Sequence, residues 1–544
     1  MSTILLRNAK AIAIDFGTSN TVVARWNNLA QQPEVIALTK LSQNLGGNPP
    51  IIPSLVYVVG AEQGEVVAGQ AVRDRGLDIT TDSRFFRGFK RGIGVQIQGF
   101  LPELDGVNIT FEQVGQWFLE TIINQFSEEL FAGEGLALQN NIELVLTVPV
   151  DSFDAYRYWL LGICQDLPVA QIRLLDEPTA AALGYGATQE KLLLVVDFGG
   201  GTLDLSLVKL DSSPEQKPLG FILKWGNQKL GDNSQQKIKT AKVLGKVGQN
   251  LGGTDIDDWL LEYFGQQQGI PATALTTRLV EKLKIQLSST PEATEVYFNE
   301  QTFDSYELKL DRSQFMEILT SHDFFTQLDN AMTQLLQQAR RLGVEIADIE
   351  AVLLVGGTTQ IPAVQDWIRQ YFSSEKIKSD QPLTAIAQGA LQLCQGITVQ
   401  DFLYHSYGIR YWNRRQNCHS WHPLIKAGQP YPMTTPVELV LGASLENQPS
   451  IELIIGELGA EEQGTEVYFE NDRLVTRRNT GAAAIKILND NARTIARLNP
   501  LGTPGSDRLK IEFLVDSQCS LRITVRDLLT GEILVNNQPV VQLS

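Results

Sequence analysis

Residues 192–206 read LLLVVDFGGGTLDLS, and residues 11–19 read AIAIDFGTS. One phrase thus occurs twice, with Asp15 and Asp197 lying 182 residues apart. In each copy an apolar run delivers an aspartate, then a glycine turn, then a hydroxyl residue. An alternating segment follows in each, Thr21–Trp26 and Leu203–Leu210. The pattern predicts a strand–turn–strand hairpin whose tip exposes backbone N–H groups. Glycine suits such a tip because, without Cβ, the backbone takes unusual φ values and can press against phosphate oxygens. Successive N–H groups there make an anion-binding nest. An aspartate at the tip can hold water ligands of a hydrated Mg²⁺ ion. Two such hairpins facing each other would clamp a polyphosphate between two lobes. One copy alone reads equally as a plain tight hairpin, whereas two copies after hydrophobic strands favour the clamp. No G-x-x-x-x-G-K-[ST] occurs, which disfavours a P-loop.

The surrounding 544 residues set bounds on what this clamp belongs to. The length suggests about three or four domains. Hydrophobic residues at 43% and charged residues at 20% are ordinary for a globular chain, which excludes a disordered or collagenous one. The 45 basic against 62 acidic residues leave a net charge of −17, which argues against nucleic-acid binding. No apolar run approaches the ~20 residues a membrane-spanning helix needs. The N-terminal MSTILLRNAK is too short and too quickly charged for a secretory leader, and four cysteines make no disulfide framework. The expectation is a cytoplasmic protein without membrane or nucleic-acid partners.

Up to about residue 398, strand-like runs alternate with helix-like stretches. The strands are Ala11–Ile14, Glu143–Thr147, Leu192–Val196 and Ala351–Val355. Helical periodicity marks Phe111–Leu130, Asp151–Gln165, Thr276–Leu287, Phe324–Leu342 and Thr384–Gln395. That alternation implies an α/β layered architecture. The polar segment Asp211–Gly248 reads as a strand excursion or exposed loop. Beyond residue 400 the strand candidates are Glu438–Leu441, Ile451–Ile455, Glu466–Phe469, Leu509–Val515 and Ser520–Val525, with no convincing helix.

These residues resemble the actin-like ATPases, and within them the seventy-kilodalton heat-shock (DnaK-like) chaperones. The motifs agree in order: IDFGTSN (14–20), IPSLVYV (52–58), FKRGIG (89–94), LTVPVDSF (146–153), LLDEPTAAALGYG (174–186) with VDFGGGTLDLS (196–206), LGGTDID (251–257) and VLLVGGTTQIP (352–362). EPTAAA followed closely by DxGGGT is specific to these chaperones. The resemblance covers about 1–398 strongly and the rest weakly. It implies a duplicated, ribonuclease-H-like ATPase domain at 1–398, with lobe I about 1–190 and lobe II about 191–398. A short connector (399–412) and a β-sandwich-like substrate-binding domain without a helical lid (413–544) would follow.

The resemblance also implies roles by position. Gly17, Thr18 and Ser19 would cup phosphates from the first lobe, and Gly199, Gly200, Gly201 and Thr202 from the second. Asp15 and Asp204 would hold water ligands of Mg²⁺. Lys90 would offset charge on the γ-phosphate, and Asp197 and Glu177 would orient or deprotonate the attacking water. Gly253 follows in the LGGTDID motif. Glu281, Lys284 and Ser288 fall on one helix face and resemble the adenosine-contacting face, with Gly357 and Thr358 closing over ribose and base. Read without that context, Lys90 is one cation in a basic run with Arg84, Arg87 and Arg91. Glu177 is then a helix-start acid before Pro178, and Glu281, Lys284 and Ser288 form an ordinary surface face.

Departures fall in the adenine pocket and the connector, and a Cys/His group stands apart from both. Ile285, a mild departure that bacterial members of the family also resemble, and Gln360 stand where many relatives have arginines that stack on adenine, and Leu383 replaces an acid near the adenosine. The connector runs short and aromatic. Cys418, His419 and His422, with His405, are an irregular candidate metal group, set against an exposed hairpin loop. The resemblance implies an ATP-dependent chaperone taking ATP and Mg²⁺, unfolded polypeptide, and J-domain and nucleotide-exchange co-chaperones. The alternatives are a nucleotide-binding regulatory or exchange-factor-like partner with little turnover, a small-molecule kinase, and a filament former.

Overall fold

The computed structural model describes residues 11–27, 29–43, 48–79, 82–94, 102–131, 143–149, 154–164, 171–186, 192–211, 240–299, 302–392, 401–403, 406–413, 418–426, 429–433, 435–458, 463–470, 473–480, 485–489, 494–516 and 520–543. They fall into two compact units whose main division lies between Thr398 and Val399.

The first unit is built on two sheets of like plan. In one, strand β1 (Ala11–Phe16) runs antiparallel to β2 (Asn20–Asn27) and parallel to β3 (Glu143–Val148), which pairs in parallel with β4 (Gln171–Asp176). In the other, β5 (Leu192–Phe198) runs antiparallel to β6 (Leu203–Asp211) and parallel to β8 (Ala351–Val355). Strand β7 (Thr240–Gln249) extends that sheet from β6. The repeat seen in the sequence is therefore a repeat of topology. Six of the seven β5 residues and all five of β8 are buried ahead of the glycine turns, as expected for parallel strands covered on both faces.

Residues 240–249, expected to be part of a loop or strand excursion, form the outer strand β7. Its lysines and glycines, such as Lys242, Gly245 and Lys246, hide the apolar alternation. Residues 212–239 of that segment lie outside the described residues. The same holds for 151–153 of one predicted helix, whose described part is α1 (Asp154–Cys164), and for 393–395 of another.

Helix α2 (Glu177–Gly184) and helix α5 (Ala385–Ala390) cross at glycines. A Cβ on Gly184 would lie 1.9 Å from Ala385 O, and one on Gly389 would lie 1.8 Å from Ala180 O. Only hydrogen fits at either contact. The start of α2, where Glu177 sits, follows directly on the end of β4 at Asp176.

The second unit has two four-stranded antiparallel sheets. One orders β10 (Cys418–Ile425), β9 (Ser406–Asn413), β12 (Ile455–Leu458) and β13 (Ile485–Ile487); the other orders β11 (Val437–Gly442), β14 (Asp507–Val515), β15 (Ser520–Asp527) and β16 (Ile533–Gln542). Their inward residues, among them Tyr407, Ile409, Ile455, Ile511, Phe513 and Ile523, make one apolar core. Residues 406–412, part of the stretch 399–412 read from the sequence as connector, thus belong to a strand of this unit. The predicted strand Ile451–Ile455 is instead two, Gln448–Glu452 and the start of β12. Asp527 closes the last turn: it accepts from Leu529 N and Thr530 N and forms a buried two-point ion pair with Arg508 at 2.8 and 2.9 Å. Among the described residues no helix follows residue 392, and none is long and apolar enough to cross a membrane.

The glycine crossing gives a direct test. Gly389→Val will destabilise the first unit by about 3 kcal/mol or more, because backbone must move to admit the side chain. Gly162→Ala, in an exposed helical position with nothing within 4 Å, will stabilise it by about 0.5–1 kcal/mol. Thermal unfolding of both variants checks the pair.

Candidate functional site

The two hairpin tips meet. A Cβ on Gly200 would lie 1.8 Å from Ser19 Oγ, and one on Gly201 would lie 2.7 Å from Thr18 Cγ2. At the first tip the carbonyls are already engaged. Ser54 Oγ donates to Gly17 O at 2.8 Å, and Ser54 N donates to Ser19 O at 2.8 Å. Gly17 itself leaves no room for a side chain, since its Cβ would lie 2.3 Å from Asn20 O. At the second tip Gly199 N closes the turn onto Thr202 O at 3.0 Å. Gly199 O accepts from Gly253 N at 3.1 Å and from Thr358 Oγ1 at 2.7 Å, and Gly200 O accepts from Thr254 N at 2.9 Å. These bonds tie the tip to the N-terminus of helix α3 (Gly253–Gln268). With the carbonyls turned away, the tips present N–H groups, hydroxyls and a helix N-terminus to the cleft, a combination that favours anions.

Carboxylates gather beneath the tips. The β5–β6 register sets Asp197 directly opposite Asp204. Asp15 accepts from Thr147 Oγ1 of β3 at 2.7 Å. Glu177 opens α2, whose N-cap Asp176 accepts from Thr179 N at 2.8 Å. Lys90, on a short 3₁₀ turn, pairs with Glu177 at 3.2 Å, both side chains being largely buried. Its ammonium lies 5.5 Å from the Phe16 ring centroid, over an aromatic cluster of Phe16, Phe89 and Phe118.

Burial governs the protonation of this group. It pushes Asp15 up to about 6, aided by Glu177 and opposed by Lys90 and the Thr147 hydroxyl. It likewise pushes Asp204 up to about 6, opposed by the bond from Thr202. Asp197 is raised well above the ordinary carboxylate range by burial and then by Glu177, Asp204 and Asp15. For Lys90 burial pulls downward, but Glu177 above all, with Tyr156 and Asp15, holds the ammonium protonated. Glu177, Asp197 and Asp204 also line a small rear cavity with Pro149, Ser206 and Lys246.

The cleft continues past Gly253 along helix α4 (Ala274–Ser289). Lys284 Nζ donates to Gly253 O at 2.7 Å and pairs with buried Asp257 at 2.8 Å. Burial lifts Asp257 to about 7, with Lys284 opposing. Glu281 is bound by Arg73 at 2.9 and 3.0 Å; burial acts to raise its carboxyl, but Arg73 and Lys284 hold it below the ordinary range. Ser288 donates to Lys284 O at 3.2 Å. Glu281, Lys284, Ser288, Gly357 and Thr358 line the same cleft as Thr18, Ser19, Gly200 and Gly253. Nine of the residues picked from the sequence thus share one cleft, and Glu177, Asp197 and Asp204 share the small cavity.

Sequence reading gave no part to Ser54, Arg91, Thr147 or Asp257, although each stood inside a quoted motif. Arg91 donates to Gly201 O and lies 3.2 Å from Asp255, joining the two halves. These partners are long-range in sequence, and no local pattern announces them. Among the described residues no group of three or more His, Cys, Asp or Glu is placed to hold a metal ion by direct ligation. His419 and His422 lie exposed on β10; His405 and the Cys418 side chain are outside the described set.

The raised carboxyls set a pH prediction. Asp15 and Asp204 in the folded chain hold protons that an unfolded chain, with aspartates near ~3.9, releases by about pH 5. Their contribution to stability therefore falls as pH rises between about 4 and 6. Thermal melts of the nucleotide-free protein will show Asp15→Asn and Asp204→Asn melting higher than wild type at pH 7.5, with that advantage shrinking towards pH 4.5. Equal or lower melting at pH 7.5 would contradict the burial argument.

Comparison with known proteins agrees with this geometry. The family model described as Hsp70 protein matches residues 11–214 and 241–405. The chaperone protein DnaK of Thermosipho melanesiensis is 30% identical over 400 residues, covering 70% of this chain and 58% of that protein. The chaperone protein DnaK of Thermotoga petrophila is 30% identical over 401 residues, with the same shares. The chain thus matches only 58% of the length of these curated relatives. A duplicated α/β unit with paired glycine hairpins, followed by antiparallel β-sheets, and a family match over most of the chain lead to one conclusion: the chain belongs to the Hsp70 family.

Proposed function

We propose that this chain binds ATP with Mg²⁺ in the cleft of its first unit, hydrolyses it, and so controls the binding of unfolded polypeptide by its second unit. The observation that carries the reading is the meeting of the two hairpin tips above a floor of buried carboxylates and Lys90. Members of the family are ATPases, and in this chain the same chemistry would fall to the side chains of that floor and those tips.

The site suits a hydrated divalent cation on its own terms. Asp15 and Asp204 are buried carboxylates raised to about 6, chiefly by burial and further by Glu177, and a cation beside them would offset both causes. Bound there through waters, Mg²⁺ would supply positive charge against the phosphates. The tip amides, with Gly17, Thr18, Ser19, Gly199, Gly200, Gly201 and Thr202, would hold the phosphate chain, and the α3 N-terminus would add its dipole. Glu281, Lys284, Ser288, Gly357 and Thr358 would take the nucleoside.

Lys90, kept charged by Glu177, would stabilise the charge developing on the transferred phosphoryl oxygens. Asp197, buried on the floor opposite Asp204, would serve as the proton acceptor. In the step, a water oxygen bonds to the γ-phosphorus, the bond to the β-bridging oxygen breaks, Asp197 takes the water proton, and ADP and phosphate result. Glu177 would act by positioning Lys90. The antiparallel sheets of the second unit would receive an extended polypeptide by strand addition. Polypeptide and helper proteins that speed hydrolysis and exchange are the partners this reading implies. A cytoplasmic setting, where ATP is supplied and a buried thiol such as Cys164 stays reduced, suits it. This reading takes residues 1–398 as the nucleotide-binding unit, with lobe I about 1–190 and lobe II about 191–398.

Single-turnover ATP hydrolysis tests the proposal. Asp197→Asn and Lys90→Met will each slow hydrolysis by about 100-fold or more while ATP still binds within a few-fold. An added unfolded polypeptide will speed the wild-type reaction. Binding without hydrolysis in wild type would instead make the chain a nucleotide-sensing regulatory module, and phosphate transfer to a small alcohol would make it a kinase.

A further inference from the structure

Tyr156 has no task in the hydrolytic step above, yet it packs beside the lysine of that site. It lies in the first turn of helix α1 and is 4% exposed. The Lys90 ammonium lies 6.0 Å from the Tyr156 ring centroid, against 5.5 Å from that of Phe16. The phenol therefore belongs to the aromatic surface that carries the lysine, and it differs from Phe16 by one hydroxyl. That hydroxyl is shut off from solvent and has no hydrogen-bond partner among the described residues.

Close packing holds the residue in place. Gly94 sits at φ +77°, and a Cβ there would lie 2.9 Å from Tyr156 N. Gly94 N donates to Glu112 Oε1 at 2.8 Å, and Glu112 O accepts from Trp159 Nε1 at 3.0 Å. Trp159 in turn packs on Tyr156, with ring centroids 5.5 Å apart. Ring and backbone are thus tethered, and one polar atom is left over. Burying an O–H without an acceptor is unfavourable, so such a group marks a place where an acceptor from outside the chain can be taken up.

Chemistry narrows the acceptor. Burial above all pushes the phenol up to about 12, with Glu177 and Asp15 adding and Lys90 opposing. The group is therefore a neutral donor at any physiological pH. The hydrolytic site proposed above uses the same three residues. A phosphoryl oxygen that reaches Lys90 meets a cation and a neutral donor together. It has lone pairs for both, and a bond to an ionised acceptor is stronger than one between neutral groups.

We propose that the Tyr156 hydroxyl donates to a nonbridging oxygen of the terminal phosphoryl group, beside Lys90, and so helps the cleft tell a nucleoside triphosphate from a diphosphate. The proposal rests on the reading of the cleft as a nucleotide site and adds a residue to it. A diphosphate lacks the oxygen in question and leaves the hydroxyl as it stands in the free protein. A triphosphate gains a charge-assisted bond there.

The test is Tyr156→Phe in the full-length protein, a change that keeps the ring against Lys90 and Trp159 and removes only the hydroxyl. Rapid filter binding with Mg²⁺, read before turnover, gives the affinities for ATP and ADP. The variant should bind ATP about 10-fold more weakly than wild type and ADP within about twofold. Without nucleotide it should melt at or above the wild-type temperature, since the hydroxyl has no partner to lose. Unchanged affinity for ATP, or equal weakening of ATP and ADP, would overturn the proposal while leaving the nucleotide site standing. A nucleotide-free variant that melts lower would also overturn it, by showing that the hydroxyl is bonded within the fold. If wild type binds neither nucleotide, the reading of the cleft fails and the inference falls with it.

Discussion

Carboxylates crowded below two glycine tips are the constraint on which the first unit depends. Asp15, Glu177, Asp197 and Asp204 interact with one another and with Lys90 in a buried environment. Like charges at that depth repel, and burial penalises each ionised form. Lys90 offsets part of the charge through Glu177. Burial first, and then the remaining repulsion, raises three aspartates and leaves a floor whose charge an added cation would offset. A stable protein keeps such an arrangement only where surrounding structure holds it in place. Here β-strand register holds two of the acids, the N-terminus of α2 holds a third, and a threonine of β3 holds the fourth.

Everything above that floor depends on close approach. Gly200 against Ser19, Gly201 against Thr18 and Gly252 against Gly200 O leave no space for a Cβ. The same holds at Gly184 and Gly389, where the two short helices cross. Side chains of the first tip thus press on the backbone of the second, backbone touches backbone at Gly252 and at the crossing, and bulky side chains fill the sheets between. This distribution explains why the two halves can share a plan yet bring different elements to the cleft: the first supplies Lys90 and the Ser54 brace, the second α3, α4 and the Gly357 turn.

Much of this is legible in the residues alone. Apolar runs ending in an aspartate and a glycine mark β1 and β5, and the 182-residue repeat points to paired sheets. The i, i+3, i+7 spacing puts Glu281, Lys284 and Ser288 on one helix face, which the structure places along the cleft. The illegible parts share a cause. Strand β7 carries lysines and glycines because it borders a sheet and packs beside Gln338, so its pattern is weak. The hairpin Glu292–Asn299 with Asp304–Asp311 escapes sequence reading because it buries only Ala293, Tyr297, Leu308 and Leu310 amid charged residues. Ser54, Arg91 and Thr147 act on residues far off in sequence, as Thr147 does on Asp15. The aromatic stretch at 406–413 looks like a connector because its partners, β10 and β12, lie further along the chain.

The most direct test of the account is hydrogen exchange with and without Mg²⁺ and ATP. A clamp made of two facing hairpins predicts slowed exchange at residues 16–20, 198–204 and 253–256 together, and only when metal and nucleotide are both present. Protection of one tip alone, or protection confined to α4, would contradict a phosphate site shared between the two hairpins.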